Sequence, residues 1–160
     1  MKQHLITFAI AGSLLVGAVP AMAATSYEPG IDWRTIETPH FRVNYPADLE
    51  DIGRRVAAYA EDAHQKVAPY MKAEPYEKTE IVCFDTYDDT NANASNYPHN
   101  RILLNLHPPS PDAGLPIGRH DDWIRYVVLH EYTHILHQNH THWGINQLNR
   151  VLGKIFFQYL

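Results

Sequence analysis

One pentapeptide of the chain has residue types and spacing that could bind a metal ion: His130-Glu131-Tyr132-Thr133-His134. On an α-helix, side chains four positions apart lie on one face, about 5 to 6 Å from each other, so both imidazoles can reach one ion. Zinc takes such nitrogens at about 2.0 to 2.1 Å, and catalytic zinc sites keep one position for water. The spacing therefore predicts a Zn²⁺ site with His130 and His134 as metal ligands.

Glu131 is predicted to be the catalytic general base of this site. It lies about 100° round the helix from His130, which places its carboxylate beside the ion rather than pointing directly at it. Zinc lowers the pKa of a water from about 15.7 to about 7, and a carboxylate can pass the proton of that water to a leaving amine. The motif therefore predicts zinc-dependent hydrolysis of peptide bonds by a metal-activated water.

A helix must position these three side chains. Asp121 or Asp122 can cap a helix that runs from Trp123 to about Gln138. Apolar residues fall on nearly every side of this segment, which predicts a buried helix. Two histidines and a glutamate are costly to bury without a partner such as a metal. A further helical stretch is predicted to begin at Trp143 or Gly144.

The segments upstream have the periodicities of a small sheet covered by a helix. Phe41, Val43 and Tyr45 alternate with polar residues, whereas the next helix has apolar residues every three or four positions. The predicted elements are a strand ending at Pro46, a helix over 48–71, a central strand over 78–84, a loop over 85–100 and a strand over 101–106. The expected fold is α+β: a mixed sheet of three or more strands, a packed helix and the buried motif helix.

The N-terminus has the tripartite pattern of a secretory signal peptide. Lys2 precedes an uncharged run that ends in the small-residue triplet Ala21-Met22-Ala23. The apolar run of about 15 residues falls short of the roughly 20 that a bilayer span needs. We therefore expect a signal peptide over 1–23 and an exported bacterial protein, periplasmic or secreted, with no membrane span after cleavage. A lead-in segment over 24–39 and a single domain over 40–160 would follow.

Composition excludes some partners. The chain has 18 acidic and 13 basic residues, a net charge of −5, and its charges are scattered. We therefore expect no nucleic-acid binding, which usually requires a clustered basic surface. Cys83 is the single cysteine and lies in an apolar run, so it is predicted to be a core thiol.

Three stretches together resemble a known family: HEYTHILH after its aspartate cap, NANASNYPHNRILLNLHPP, and TPHFRVNYP. They look like bacterial exported zinc metallopeptidases of the gluzincin, thermolysin-like type, over about 33–160. The resemblance implies the upper subdomain of such an enzyme, often fused to a C-terminal β-propeller, with a peptide or protein as substrate. It also implies that the strand over 101–106 is the sheet edge that pairs with the substrate backbone.

The third zinc ligand has two possible sources. Gluzincins take it from a glutamate on a later helix, and no Asp or Glu follows Glu131 in this chain. The favoured expectation is a truncated domain whose glutamate lies beyond Leu160. The alternative is His140, because His130, His134 and His140 have the spacing of metzincins, although metzincins carry glycine at the position of His137.

Two rival functions would use the same histidines without peptide hydrolysis. One rival function is a non-catalytic periplasmic metal-binding protein that uses the five histidines between His130 and His142, and another is an inactive peptidase-like interaction domain. Among peptidases, endopeptidase is favoured over aminopeptidase because no amine-recognition motif is present. His137 is either near the metal or a solvated helix-end residue. The other histidines are interpreted as surface or loop residues: His40, His64, His99, His107, His120 and His142.

Overall fold

The computed structural model describes residues 30–85, 92–107, 122–140, 143–152 and 154. The predicted signal peptide, 1–23, lies outside the described residues. The fold is α+β, as expected, with a mixed sheet of five strands. Its elements are β1 (Trp33–Glu37), β2 (Phe41–Pro46), α1 (Glu50–Met71), β3 (Thr79–Phe84), β4 (Ala92–Ser95), β5 (Arg101–Asn105), α2 (Trp123–Asn139) and α3 (Trp143–Leu152).

The sheet has the order β1-β2-β3-β5-β4. The three inner strands run parallel, and the two outer strands pair antiparallel to their neighbours. β3 is central, as its apolar run predicts. Its residues Ile81 and Cys83 are fully buried, and burial raises the pKa of the Cys83 thiol to about 12. Cys83 is therefore a core thiol, as the sequence predicted.

Both long helices pack against the sheet and against each other. Strand residues alternate between buried and more exposed, which shows that the helices cover one face of the sheet. α1 contributes small residues to this core, such as Ala57 and Ala60. At Gly53 a Cβ atom would lie 2.6 Å from the Tyr45 ring, so only glycine permits this close approach. The helix predicted over 48–71 is confirmed.

Two strands lie where the sequence predicted none. β1 falls within the expected lead-in segment, so regular structure begins before His40; only Trp33 and Ile36 of β1 are partly buried, which explains its weak periodicity. β4 lies within the expected loop over 85–100, and its Ala-Asn-Ala-Ser sequence has low intrinsic strand propensity. Pairing with β5, rather than local preference, establishes β4 as a strand.

The position of the sheet edge corrects one expectation. The strand over 101–106 was expected at the edge, but β5 pairs with β3 on one side and with β4 on the other. Within the described residues, β4 is the outer strand next to α2. A peptide that extends this side of the sheet would therefore have to pair with β4.

None of the described helices combines the length and the apolar character that a membrane span requires.

Candidate metal centre

The start of the motif helix is fixed by Asp122. Its carboxylate accepts a hydrogen bond from the backbone N–H of Arg125, 3.3 Å away, which makes it the N-cap of α2. The Tyr59 hydroxyl of α1 donates to the same carboxylate, and the Arg55 guanidinium lies 3.6 Å from it. The hydrogen bond from Tyr59 is the main reason why the pKa of Asp122 lies below its usual range. The cap thus joins α2 to α1.

The motif helix is buried on one face only. Its core face includes Val128, Tyr132 and Ile135, whereas Leu129, His130 and His134 are exposed. The expectation of a fully buried helix is therefore wrong for the residues described. Leu129 explains the difference, because an apolar residue on the open face made the sequence pattern look apolar all round.

His130 and His134 converge as their spacing predicts. Their Nε2 atoms lie 3.1 Å apart, and the rings meet at an interplanar angle of 82°. Two nitrogens bound at about 2.0 to 2.1 Å to one tetrahedral ion would be about 3.4 Å apart, so the pair fits a zinc ion after a shift of a few tenths of an ångström. Together with Tyr126, Leu129 and Thr133, the two histidines line an open groove of about 230 Å³.

Glu131 lies between the two histidines in sequence but is much less accessible. Its side chain belongs to the buried set, with 8% of the residue exposed. No hydrogen bond or ion pair to its carboxylate is found within the described residues. The Glu131 oxygens are not among the buried polar atoms that lack a partner in the described residues, so the carboxylate keeps some contact with solvent. Glu131 is therefore a mostly buried carboxylate that can still reach water, as a general base requires.

The structure does not bring His140 to this pair. His140 caps the C-terminus of α2, its side chain is exposed, and its backbone N–H donates to the carbonyl of His137, 3.2 Å away. In the described part of the chain, no third His, Cys, Asp or Glu places a ligand atom within 4.8 Å of those of both His130 and His134. The metzincin-like arrangement is therefore absent among these residues, and His137 is a solvated residue of the last helical turn.

A second group of potential ligands was missed by the sequence reasoning. His40, His64 and Glu74 each place one ligand atom within 4.8 Å of the other two. His64 was expected on the surface, but it is only 8% exposed. The α1 periodicity contained the signal, because His64 follows Ala60 by four positions and shares its buried face.

This chain matches no known protein family, no curated protein and no solved structure.

Proposed function

We propose that this chain carries the zinc-binding helix of an exported zinc-dependent peptidase, as its resemblance to gluzincins implies. In this proposal His130 and His134 ligate the ion and Glu131 is the general base. The observation that supports it most directly is the 3.1 Å approach of the two Nε2 atoms on an exposed helix face. Glu131, the next residue in the chain, is mostly buried but keeps some contact with solvent, and it would be the base that such a site needs.

Each residue would have a distinct task in hydrolysis. A bound zinc ion supplies Lewis acidity, which polarises the scissile carbonyl and makes a water acidic. Glu131 accepts the proton of the attacking water and returns it to the leaving amine. His130 and His134 fix the position of the site relative to α2. The Asp122 cap and the core face of α2 hold that helix against α1 and the sheet.

Strand β4 is the proposed partner of the substrate backbone. An extended peptide can add to the exposed edge of a sheet through main-chain hydrogen bonds. β4 is the outer strand on the side of the sheet that packs along α2. The side chain of Asn96, just after β4, donates to the carbonyl of Gln138 at 3.0 Å, so the edge is attached to the motif helix. A peptide paired with β4 would therefore have a fixed distance to the histidine pair.

The described residues supply two of the three protein ligands that a catalytic zinc generally has. The gluzincin resemblance would supply the third from a glutamate on a later helix. His140 is disfavoured because its ligand atoms do not lie near those of His130 and His134.

Zinc stoichiometry tests the metal centre. The native chain and a His130→Ala/His134→Ala variant would be saturated with zinc and freed of unbound metal by gel filtration, and bound metal would be counted by elemental analysis. We expect the variant to lose one equivalent per chain, while His137→Ala, an exposed histidine on the same helix, loses none. Equal zinc in the native chain and the double variant would refute the site.

A further inference from the structure

A separate group of ligands lies on the opposite side of α2 from His130 and His134. His40 precedes β2, His64 lies in α1, and Glu74 lies in the segment that follows α1. All three residues line a cavity of about 630 Å³ beside the C-terminal half of α1. The ligand atoms of this triplet lie within 4.8 Å of each other, compared with about 3.4 Å around a tetrahedral zinc ion, so a small rearrangement would let one ion bind all three.

His40 is oriented by a carboxylate. Its Nδ1 lies 2.8 Å from Oε2 of Glu61, and the other oxygen of Glu61 accepts the backbone N–H of His40 at 3.0 Å. An Nδ1–H that donates to a carboxylate leaves Nε2 with a free lone pair. Histidines that ligate metals almost always donate their second ring nitrogen in this way. His40 therefore has the orientation and tautomer that a ligand requires.

His64 is oriented by a hydroxyl group. Its Nδ1 lies 2.7 Å from the Tyr132 hydroxyl, and its Nε2 lies 3.8 Å from Oε1 of Glu74. When Nδ1–H of His64 donates to the Tyr132 oxygen, the lone pair is on Nε2, the nitrogen that faces Glu74, and is available to an ion.

We propose that His40, His64 and Glu74 bind a divalent transition-metal ion at a site distinct from the histidine pair of α2. Two imidazoles and a carboxylate suit Zn²⁺, and they also bind Ni²⁺ and Cu²⁺. The His40 and His64 rings stack, with centroids 3.6 Å apart and planes at 16°. Because the lone pair of a ring nitrogen lies in the ring plane, two nearly parallel rings cannot both point a lone pair directly at one ion. Binding therefore requires the ring of His40, whose side chain is 37% exposed, to tilt towards the ion.

The proposed ion would connect three segments of the fold. It would join the start of β2, the helix α1 and the segment after α1, and the His64–Tyr132 hydrogen bond would extend this link to α2. Glu74 can complete the site at little cost, because its side chain is 72% exposed and is free to move by the small distance that remains. The site does not depend on peptidase activity.

The test uses the full chain with the His130→Ala/His134→Ala substitutions, so that the two metal sites are distinguished. Titration with Zn²⁺ and Ni²⁺ by calorimetry should detect one remaining equivalent, and the ion should raise the Tm. Glu74→Gln and His40→Gln should each weaken this binding by about 100-fold or more, and Glu61→Gln by about 10- to 100-fold. His99→Gln, which alters an exposed histidine elsewhere, should leave it unchanged.

Two results would overturn the second site. One is the absence of any bound equivalent in the His130→Ala/His134→Ala chain. The other is unchanged affinity in both Glu74→Gln and His40→Gln, provided that circular dichroism shows both variants to be folded. Glu74→Gln is decisive because the side chain of Glu74 is exposed, so the substitution should leave the fold intact. Failure of the α2 site alone would leave the remaining equivalent in place.

Discussion

The hydroxyl of Tyr132 lies 2.7 Å from Nδ1 of His64, so the motif helix is joined to α1 on the side opposite its two exposed histidines. Tyr132 is fully buried, and its ring packs edge-on against Phe41 with centroids 4.9 Å apart. The residue at the first variable position of the motif thus anchors the helix, while His130 and His134 line the open groove on its other side. This contact fixes how α2 presents its histidines.

We expect Tyr132→Phe to lower the free energy of unfolding by about 1 to 3 kcal/mol, because the ring packing stays and the buried Nδ1 of His64 loses its partner. Urea unfolding followed by circular dichroism measures this. The control is Tyr70→Phe, which removes a hydroxyl from a side chain that is 85% exposed and should change stability little. Equal effects of the two substitutions would show that the His64 contact contributes nothing specific.

Glu131→Gln should keep its zinc and lose peptide hydrolysis. The amide has nearly the same shape but cannot accept the proton of the attacking water, so turnover should fall by about 10²- to 10⁴-fold. Two quantities are measured for the protein with Glu131 and for the Glu131→Gln variant. They are the zinc content and the turnover of a broad peptide library. Full activity in the zinc-loaded variant would assign the base to another residue.

The two candidate sources of the third ligand lead to different results for His140→Ala. His140 is exposed at the end of α2 and does not join the histidine pair, so we expect zinc affinity at the α2 site to stay within experimental error. His134→Ala, by contrast, should weaken binding by about 100-fold or more, since it removes a ligand. A comparable loss in His140→Ala would favour the metzincin-like arrangement instead. Competition with a zinc-binding dye gives both affinities.

Local patterns predicted the elements that have strong periodicity. β2, β3, β5, α1 and α2 lie within a few residues of their expected bounds, and the motif spacing predicted the approach of His130 and His134. Both missed strands are outer strands. Their residues gain structure from pairing with one neighbour, which is a long-range effect that a local pattern does not contain.

The site beyond the motif was less predictable for a similar reason. His40 and His64 are 24 positions apart in sequence, and only the packing of α1 on β2 stacks their rings. Glu74 joins them because the chain turns back after α1, where Lys72 adopts a left-handed conformation with φ of 50°. No spacing rule connects residues brought together by two different elements and a turn.

The cap of α2 should make stability depend on acid. In the folded chain the hydrogen bond from Tyr59, with the nearby charge of Arg55, lowers the pKa of Asp122 below its ordinary value of 3.8. A carboxyl with a lowered pKa contributes stability that is fully present above the unfolded pKa and is lost as pH falls through the folded pKa. The stability that the charge of Asp122 contributes should therefore be complete at about pH 6 and should decrease as the pH falls below about 4, the ordinary aspartate range.

Two substitutions separate the cap from the charge. Asp122→Ala removes both and should lower the free energy of unfolding by about 0.5 to 2 kcal/mol near pH 7. Asp122→Asn keeps a capping oxygen but has no charge, so its stability deficit relative to the native chain should shrink as the pH falls. Asp51→Asn, which alters an exposed aspartate in the first turn of α1, is the matched control. Urea unfolding at several pH values measures the free energy of unfolding of each variant. If the stability deficit of Asp122→Asn stays constant from pH 6 to pH 3, the role assigned to the Tyr59 contact is wrong.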